Sequence, residues 1–434
     1  MMADNQAIGL SPCATPGTVC VLGIDLGTTS VKAALVVETA QGQIVTQSCS
    51  RETQAQANSP AAGAQGMEQD VQKIIKALNE CLAAFPQEHL QRSLRCHQTP
   101  CCFCGYRLTR LPPDTRCCKW AESGTGHTFQ PGEVSHLITW QDGRCSSSFL
   151  SSLPQPQSHL SVATGFGCAT IYWYLKNSLR ESGFPLDLLP EVGDPGGIAG
   201  RMPHDWHGIP KGAEVGIALG DFQCSVYSCM TERTDAVLNI STSAQLTVPM
   251  PLGFQPPETP DSLSAVAYFP YFDGNYLAVA ASLNGGNVLA TFVDMLACWM
   301  AELGYDVLES HVYTQMINAA LAQNATRLSI CPTVFGERHM PEQLASVTSI
   351  AASELSLGHV TRALCHGIIQ NLHSMLPFQH LKEAGVKRIL GSGSALSRNE
   401  VLKQEVEKTF PLPVIYGKDV DAAVGAAMVM LHRR

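Results

Sequence analysis

The sequence predicts an α/β protein built of two similar halves flanking a cleft, and three observations carry that reading. Gly23-Ile24-Asp25-Leu26-Gly27-Thr28-Thr29-Ser30 stands between the apolar runs 19–22 and 31–37. Asn239-Ile240-Ser241-Thr242-Ser243 repeats the arrangement in the second half, just after Asp235-Ala236-Val237-Leu238. Strand, small-residue turn, strand presents backbone N–H groups and hydroxyls to a phosphate without using a helix end. Two such turns can clasp one triphosphate from opposite walls. Between them, Ala218-Leu219-Gly220-Asp221-Phe222-Gln223 sets a carboxylate where a phosphoryl acceptor needs its base.

The elements follow in order. Residues 19–24 and 31–37 read as a strand pair joined by the first turn, and 43–46 add a third strand. Residues 67–85 read as an amphipathic helix with Val71, Ile74, Ile75, Leu78 and Leu82 on one stripe. In the second half, strand 236–240 leads into the second turn and 245–248 leads out. Residues 276–280 give another strand, followed by Leu283-Asn284-Gly285-Gly286-Asn287 and a helix over 288–303. A helix near 357–376, a strand at 386–390, the turn Gly391-Ser392-Gly393-Ser394, a helix over 398–409 and a last helix from about 420 to 431 complete the pattern. The recurring strand–turn–strand start suggests duplicated halves, 18–230 and 231–434, with the boundary where Met230-Thr231-Glu232-Arg233 follows a helix. Prolines within 152–156 and 249–261 mark surface loops.

Composition agrees. A chain of 434 residues favours two or three domains. Hydrophobic residues at 45% against 15% charged describe a packed globular chain. A net charge of −9 argues against a nucleic-acid partner and against a polybasic membrane patch. Residues 1–18 hold no Lys or Arg, and no run approaches a membrane span, so the expected location is cytoplasmic. Seventeen cysteines, an odd number, fit free thiols in a reducing compartment better than a disulfide framework.

Two carboxylates stand out. Asp25 either caps its own turn or faces Mg²⁺, a cation that needs few protein carboxylates because phosphate oxygens and waters complete its shell. Thr28 and Thr29 are placed to donate to phosphate oxygens, and Gly27 lets the backbone approach closely. Asp221 either caps the helix that begins Phe222-Gln223-Cys224-Ser225 or accepts the proton of a hydroxyl held in line with a γ-phosphorus.

The three turns in this order, with the Gly-Asp between the first two, resemble the FGGY carbohydrate kinases, a branch of the actin/hexokinase-like fold. The resemblance implies two actin-like (ribonuclease-H-like) domains flanking a nucleotide cleft. It implies ATP and Mg²⁺ as cofactors and a ketose as substrate, with phosphoryl transfer to its hydroxyl and Asp221 as catalytic base. By the same resemblance Asp25 faces the metal, through water, and Thr242 contacts phosphate, with Ser241 replacing the family's usual glycine. Gly285 packs against the nucleotide, and Gly393 and Ser397 border the adenine. Lys32 matches a basic position that neutralises transferring charge, or is a solvated strand lysine. Gln223 assists the sugar contact. Trp140-Gln141-Asp142-Gly143-Arg144 resembles a stretch beside the sugar site, which implies sugar contacts for Trp140 and Asp142; the alternative is a packed Trp140 with a structural Asp142–Arg144 pair. Gly336-Glu337-Arg338 resembles the family's Gly-Glu-Arg loop and reads best as an internal Glu–Arg pair fixing that loop.

Two departures interrupt the likeness. Cys96-His97-Gln98-Thr99-Pro100-Cys101-Cys102-Phe103-Cys104, running on to Cys117-Cys118, replaces a family strand and a sugar-holding element. Its spacing is wrong for a paired zinc site, and it reads as a shifted frame or an altered exon boundary spanning about 92–130. A second family segment is missing at Asn177-Ser178. Losing interior strands would leave apolar faces and ladder groups unpaired, so a destabilised first domain with a damaged sugar site is expected beside an intact nucleotide clasp. The alternative function is therefore a non-catalytic variant that binds a nucleotide or a partner.

Overall fold

The computed structural model describes residues 20–39, 42–57, 66–86, 90, 93–100, 118–123, 126–131, 136–177, 192–261, 263–417 and 420–432. Residues 1–18, most of the cysteine-rich stretch (101–117) and the junction that follows Asn177 lie outside the described residues. The chain divides into two compact units: Met1–Arg144 with Phe184–Cys224 and Ala422–Arg434, and Cys145–Gly183 with Ser225–Asp421.

In the first unit, β1 (Cys20–Leu26), β2 (Ser30–Thr39) and β3 (Gly42–Glu52) form an antiparallel meander. α1 (Val71–Ala83) packs on it with the expected stripe of Val71, Ile74, Ile75, Leu78 and Leu82 buried. It starts later than the pattern suggests because the Asp70 side chain accepts from the Gln72 N–H at 2.8 Å and caps the helix there. Glu68–Gln69 instead pair with Gln56–Ala57 and Leu137–Ile138 as a small sheet. β4 (Ser93–Pro100) runs parallel to β1, and β5 (Ile198–Arg201) and β6 (Glu214–Gly216) complete the order β5-β6-β4-β1-β2-β3. The start of the altered segment therefore supplies β1 with an interior ladder partner, where the sequence led us to expect a gap. β1 is buried from end to end, as a central strand covered on both faces must be. One cover is the C-terminal helix Ala422–His432, whose Ala427, Met430 and Leu431 pack on Val21 and Val36. α2 (Asp221–Cys229) carries the chain from the first unit into the second.

The second unit repeats the plan. β7 (Asp235–Ile240) and β8 (Ala244–Pro249) form a hairpin; β10 (Tyr276–Ser282) adds to β8 and β9 (Val266–Pro270) to β10, all antiparallel. α3 (Gly286–Glu302), α4 (Glu309–Leu321) and α5 (Leu357–Met375) follow. β11 (Arg388–Ser392) lies parallel to β7 and β12 (Val414–Tyr416) parallel to β11, giving the order β9-β10-β8-β7-β11-β12. Short α6 (Ser394–Arg398) and α7 (Glu400–Thr409) stand between those two strands in sequence. In both sheets the first strand is flanked by its hairpin partner on one side and a later parallel strand on the other. The core joins Leu238, Ile240 and Leu246 of the sheet to Leu364, Ile368 and Leu372 of α5. Among the described residues, no helix is long and apolar enough to cross a membrane.

One ion cluster in this unit sets an acid limit. Glu405 of α7 is 3% exposed and accepts from Arg362 Nη1 at 2.6 Å and Lys408 Nζ at 2.9 Å, with His366 Nδ1 at 2.8 Å. Burial alone would raise its carboxyl, but the bonds from His366, Lys408 and Arg362 outweigh burial and hold it at about 2. A carboxyl lowered on folding contributes stability that is complete above its unfolded value of about 4.3 and is lost as pH falls toward the folded one. The second unit's melting temperature should therefore drop as pH falls from about 4.5 to about 2, and less steeply in Glu405→Gln. Equal slopes in calorimetry of the two proteins would refute this assignment.

Candidate active site

The first unit gathers Asp25, Gly27, Thr28, Thr29, Lys32, Asp221 and Gln223. β1 delivers Asp25 near its C-terminal end, 9% exposed. The hairpin register sets Lys32 directly opposite Asp25, so the two side chains leave the same face of the ladder. The Gly27 N–H donates to the Ser30 carbonyl at 3.0 Å and closes the turn. The Thr28 carbonyl accepts from Gln69 Nε2 at 2.6 Å and from Thr53 Oγ1 at 3.1 Å. The Thr53 N–H donates to the Thr29 carbonyl at 2.9 Å. The loop's carbonyls are thus anchored from behind, and Thr29 is exposed. Thr28 and Thr29 line a cavity of about 950 Å³ together with Gln54, Glu68 and Gln141.

Asp221 is exposed and is the first helical residue of α2. The capping position belongs to Gly220, whose carbonyl accepts from the Cys224 N–H at 3.1 Å. Burial pushes the Cys224 thiol up, and the negative charges of Asp221 and then Asp25 push it further. Both carboxylates therefore lie near one buried sulfur. The Gln223 carboxamide folds over Gly220, where an added Cβ would meet its oxygen.

The stretch from Trp140 to Arg144 divides between its two readings. Trp140 is 51% exposed, so it is not a packed core ring. Asp142 is 1% exposed. Its Oδ1 accepts from Arg144 Nε at 2.7 Å, and its Oδ2 accepts from Arg144 Nη2 and the Met67 N–H, both at 2.8 Å. Burial would raise its carboxyl, but Arg144 and the N–H groups of Met67 and Arg144 outweigh burial and hold it below the usual carboxylate value. Arg144 Nη2 also donates to Glu68 Oε1 at 2.8 Å. The structural Asp142–Arg144 pair forms: the Asp142 carboxylate is engaged in holding residues 67–69, and through them the Gln69 bond to Thr28.

The second unit brings together Thr242, Gly285, Gly393 and Ser397. The β7–β8 turn closes through the Ser241 N–H and the Ser243 carbonyl at 2.9 Å. The turn after β10 bonds to it directly: the Gly286 N–H donates to the Ser241 carbonyl at 2.8 Å and the Asn287 N–H to the Thr242 carbonyl at 3.0 Å. The third turn joins through the Ser394 N–H and Ser241 Oγ at 3.3 Å. Gly393 has φ 101°, open to glycine, and a Cβ there would run into the Ile240 carbonyl. Thr242 and Ser397 are exposed on this cluster, and the Ser397 N–H donates to the Gly393 carbonyl at 2.9 Å. Two small-residue turns with exposed hydroxyls, buttressed by the Gly285-Gly286 turn, suit a polyphosphate and its nucleoside. The carboxylate of Asp25 in the first unit is a hard oxygen donor of the kind a magnesium ion accepts.

The expected Glu337–Arg338 pair does not form. Arg338 is exposed, and the buried Glu337 binds Ser282, Asn284 and Asn371 instead. Neighbours along an extended chain point to opposite sides, so adjacency in sequence misleads here. Gln69 and Thr53, which anchor the first loop, went unseen in the sequence; the only signal was a polar run just before the capped start of α1.

No protein-family profile matches the chain. It is 56% identical to the sedoheptulokinase of Mus musculus over 472 residues, covering 95% of this chain and 97% of that protein. Sedoheptulokinase of Homo sapiens is 56% identical over 468 residues with the same coverage. Both matches span more positions than the 434 residues of this chain, so the relatives carry segments with no counterpart here. Among solved structures, xylulose kinase from Rhodospirillum rubrum superposes with TM-score 0.69 at 17% identity, over 95% of this chain and 89% of that one. Plasmodium falciparum glycerol kinase with ADP gives TM-score 0.65 at 13% identity, over 95% and 89%. These structures show the two-domain actin-like α/β fold, and the curated relatives favour the kinase over the non-catalytic alternative.

Proposed function

Because the chain belongs to the sedoheptulokinase family of FGGY carbohydrate kinases, phosphotransferases with an alcohol as acceptor, we propose that it phosphorylates sedoheptulose to sedoheptulose 7-phosphate at the expense of ATP. The reaction would feed the pentose phosphate pathway in the cytoplasm. The sugar chemistry belongs to the half 18–230 and the adenosine contacts to 231–434. The observation that supports the reading best is the small-residue turn that follows Asp25, with its Thr28 carbonyl anchored from behind by Gln69 and Thr53 and Lys32 set opposite Asp25.

In this reading a carboxylate oxygen of Asp221 orients the acceptor hydroxyl and takes its proton as the bond to phosphorus forms. Thr28, Thr29 and Thr242 donate to phosphate oxygens, and Lys32, opposite Asp25, offsets the charge that moves with the phosphoryl group. Gly285, Gly393 and Ser397 border the nucleoside. Trp140 and Gln223 contact the sugar. Mg²⁺ held near Asp25 through water would neutralise part of the triphosphate charge. Asp142 supports this site through residues 67–69.

The direct test is ADP release by the purified chain with Mg-ATP and sedoheptulose. Sugar-dependent release is expected. Folded protein that binds Mg-ADP yet releases none with sedoheptulose, xylulose or gluconate would overturn the reading.

A further inference from the structure

We infer that Glu337 is a positioning residue for the second phosphate loop and acts through the turn at 283–287. The inference rests on the reading that this loop holds the nucleotide. Glu337 is 1% exposed. Its Oε1 accepts from Ser282 Oγ at 2.6 Å, Asn371 Nδ2 at 2.7 Å and Asn284 Nδ2 at 2.8 Å. Its Oε2 accepts from the Leu283 N–H at 3.1 Å. Among the described residues no cationic side chain joins it, so neutral donors alone answer a buried charge. Burying a carboxylate in this way is costly unless its donors are held in place.

The donors come from separate elements. Ser282 ends β10, Asn371 belongs to α5, and Leu283 and Asn284 open the turn. Asn284 also donates from Nδ2 to the Gly336 carbonyl at 2.8 Å and accepts at Oδ1 from the Phe335 N–H at 3.1 Å. From this knot the turn reaches the loop within two residues. Gly286 and Asn287 donate their N–H groups to the carbonyls of Ser241 and Thr242. The fit has no slack, because a Cβ on Gly286 would collide with the Ser241 carbonyl. Glu337 touches no reacting atom. It fixes where Thr242 stands.

The test is hydrogen–deuterium exchange of the ligand-free full chain, wild type against Glu337→Gln. The substitution keeps the volume and turns one acceptor oxygen into a donor that faces other donors. Amides in 239–245 and 283–290 should exchange about tenfold faster, while those of 362–372 and 388–392 keep their protection. The Mg-ADP dissociation constant should rise about tenfold. Unchanged exchange in both loop peptides would overturn the inference, as would uniform loosening of the whole unit, which is what a merely structural role predicts. Thr242→Ala separates the two readings: if it leaves Mg-ADP affinity intact, the nucleotide reading of the loop fails, and the exchange data still decide the part played by Glu337. Should Glu337→Gln not fold, Asn371→Ala removes a single donor, and wild-type exchange at 239–245 in that variant would overturn the inference.

Discussion

Replacing Asp221 by asparagine should lower sugar-dependent ADP release by about 10²–10⁴-fold and leave Mg-ADP affinity unchanged. Asparagine keeps the size of the side chain but cannot accept the hydroxyl proton at neutral pH. The position tolerates the change. Asp221 is exposed and opens α2, and Gly220 already fills the capping place. Loss of a first-turn carboxylate costs a helix only about 0.3–1 kcal/mol. The melting temperature should therefore stay near wild type, and any collapse in turnover belongs to chemistry. The split between parameters is diagnostic, because a group used only in the transition state lowers kcat and kcat/KM together. Turnover within a small factor of wild type would remove Asp221 as the base, and attention would then fall on Asp25, the other carboxylate near Cys224.

The sequence disclosed the parts of this fold that carry a period or a turn signal. The stripe of α1, the paired runs that became β1 and β2, and the three small-residue turns needed no partner to be recognised. Elements without such signals stayed hidden. β5 is exposed at every position and β6 is three residues long, so neither shows alternation. α4 buries only Met316, Ile317 and Ala320, too narrow a face to mark it. The destination of the C-terminal helix was also unreadable. It is apolar nearly all round, which says that it is buried but not where. The site divides the same way. Residues that would touch a ligand lie in the turns or close beside them, at the start of α2 and on β2, where short motifs mark them, whereas the bonds that hold the turns span long separations. Gln69 reaches back to Thr28, and Glu337 to Ser282. Such pairs are set by tertiary packing, and spacing along the chain carries no trace of them.

Substituting Gly425 by alanine should destabilise the first unit by about 3 kcal/mol, near the upper end of the range for overpacking. Gly425 lies in the C-terminal helix against the backbone of Cys224, and an added Cβ would overlap the Cys224 carbonyl. Gly23 of β1 meets the same helix at the Ala423 carbonyl, so backbone touches backbone at both contacts. No flexible side chain is there to give way, and one main chain must move. If the helix retreats, Ala427, Met430 and Leu431 leave Val21 and Val36. If α2 yields, Cys224 shifts, and Asp221 shifts with it less than one helical turn away. Misplacing a catalytic group by about 1 Å can cost about 10²-fold in rate. Gly425→Ala should therefore lower both the first unit's melting transition and turnover. Gly200→Ala is the control, since its Cβ would enter open space on β5 and should change stability by less than about 0.5 kcal/mol. Wild-type melting and turnover in Gly425→Ala would mean that this helix does not hold the start of α2 in place. A melting loss with full turnover would mean that Asp221 is positioned by other contacts.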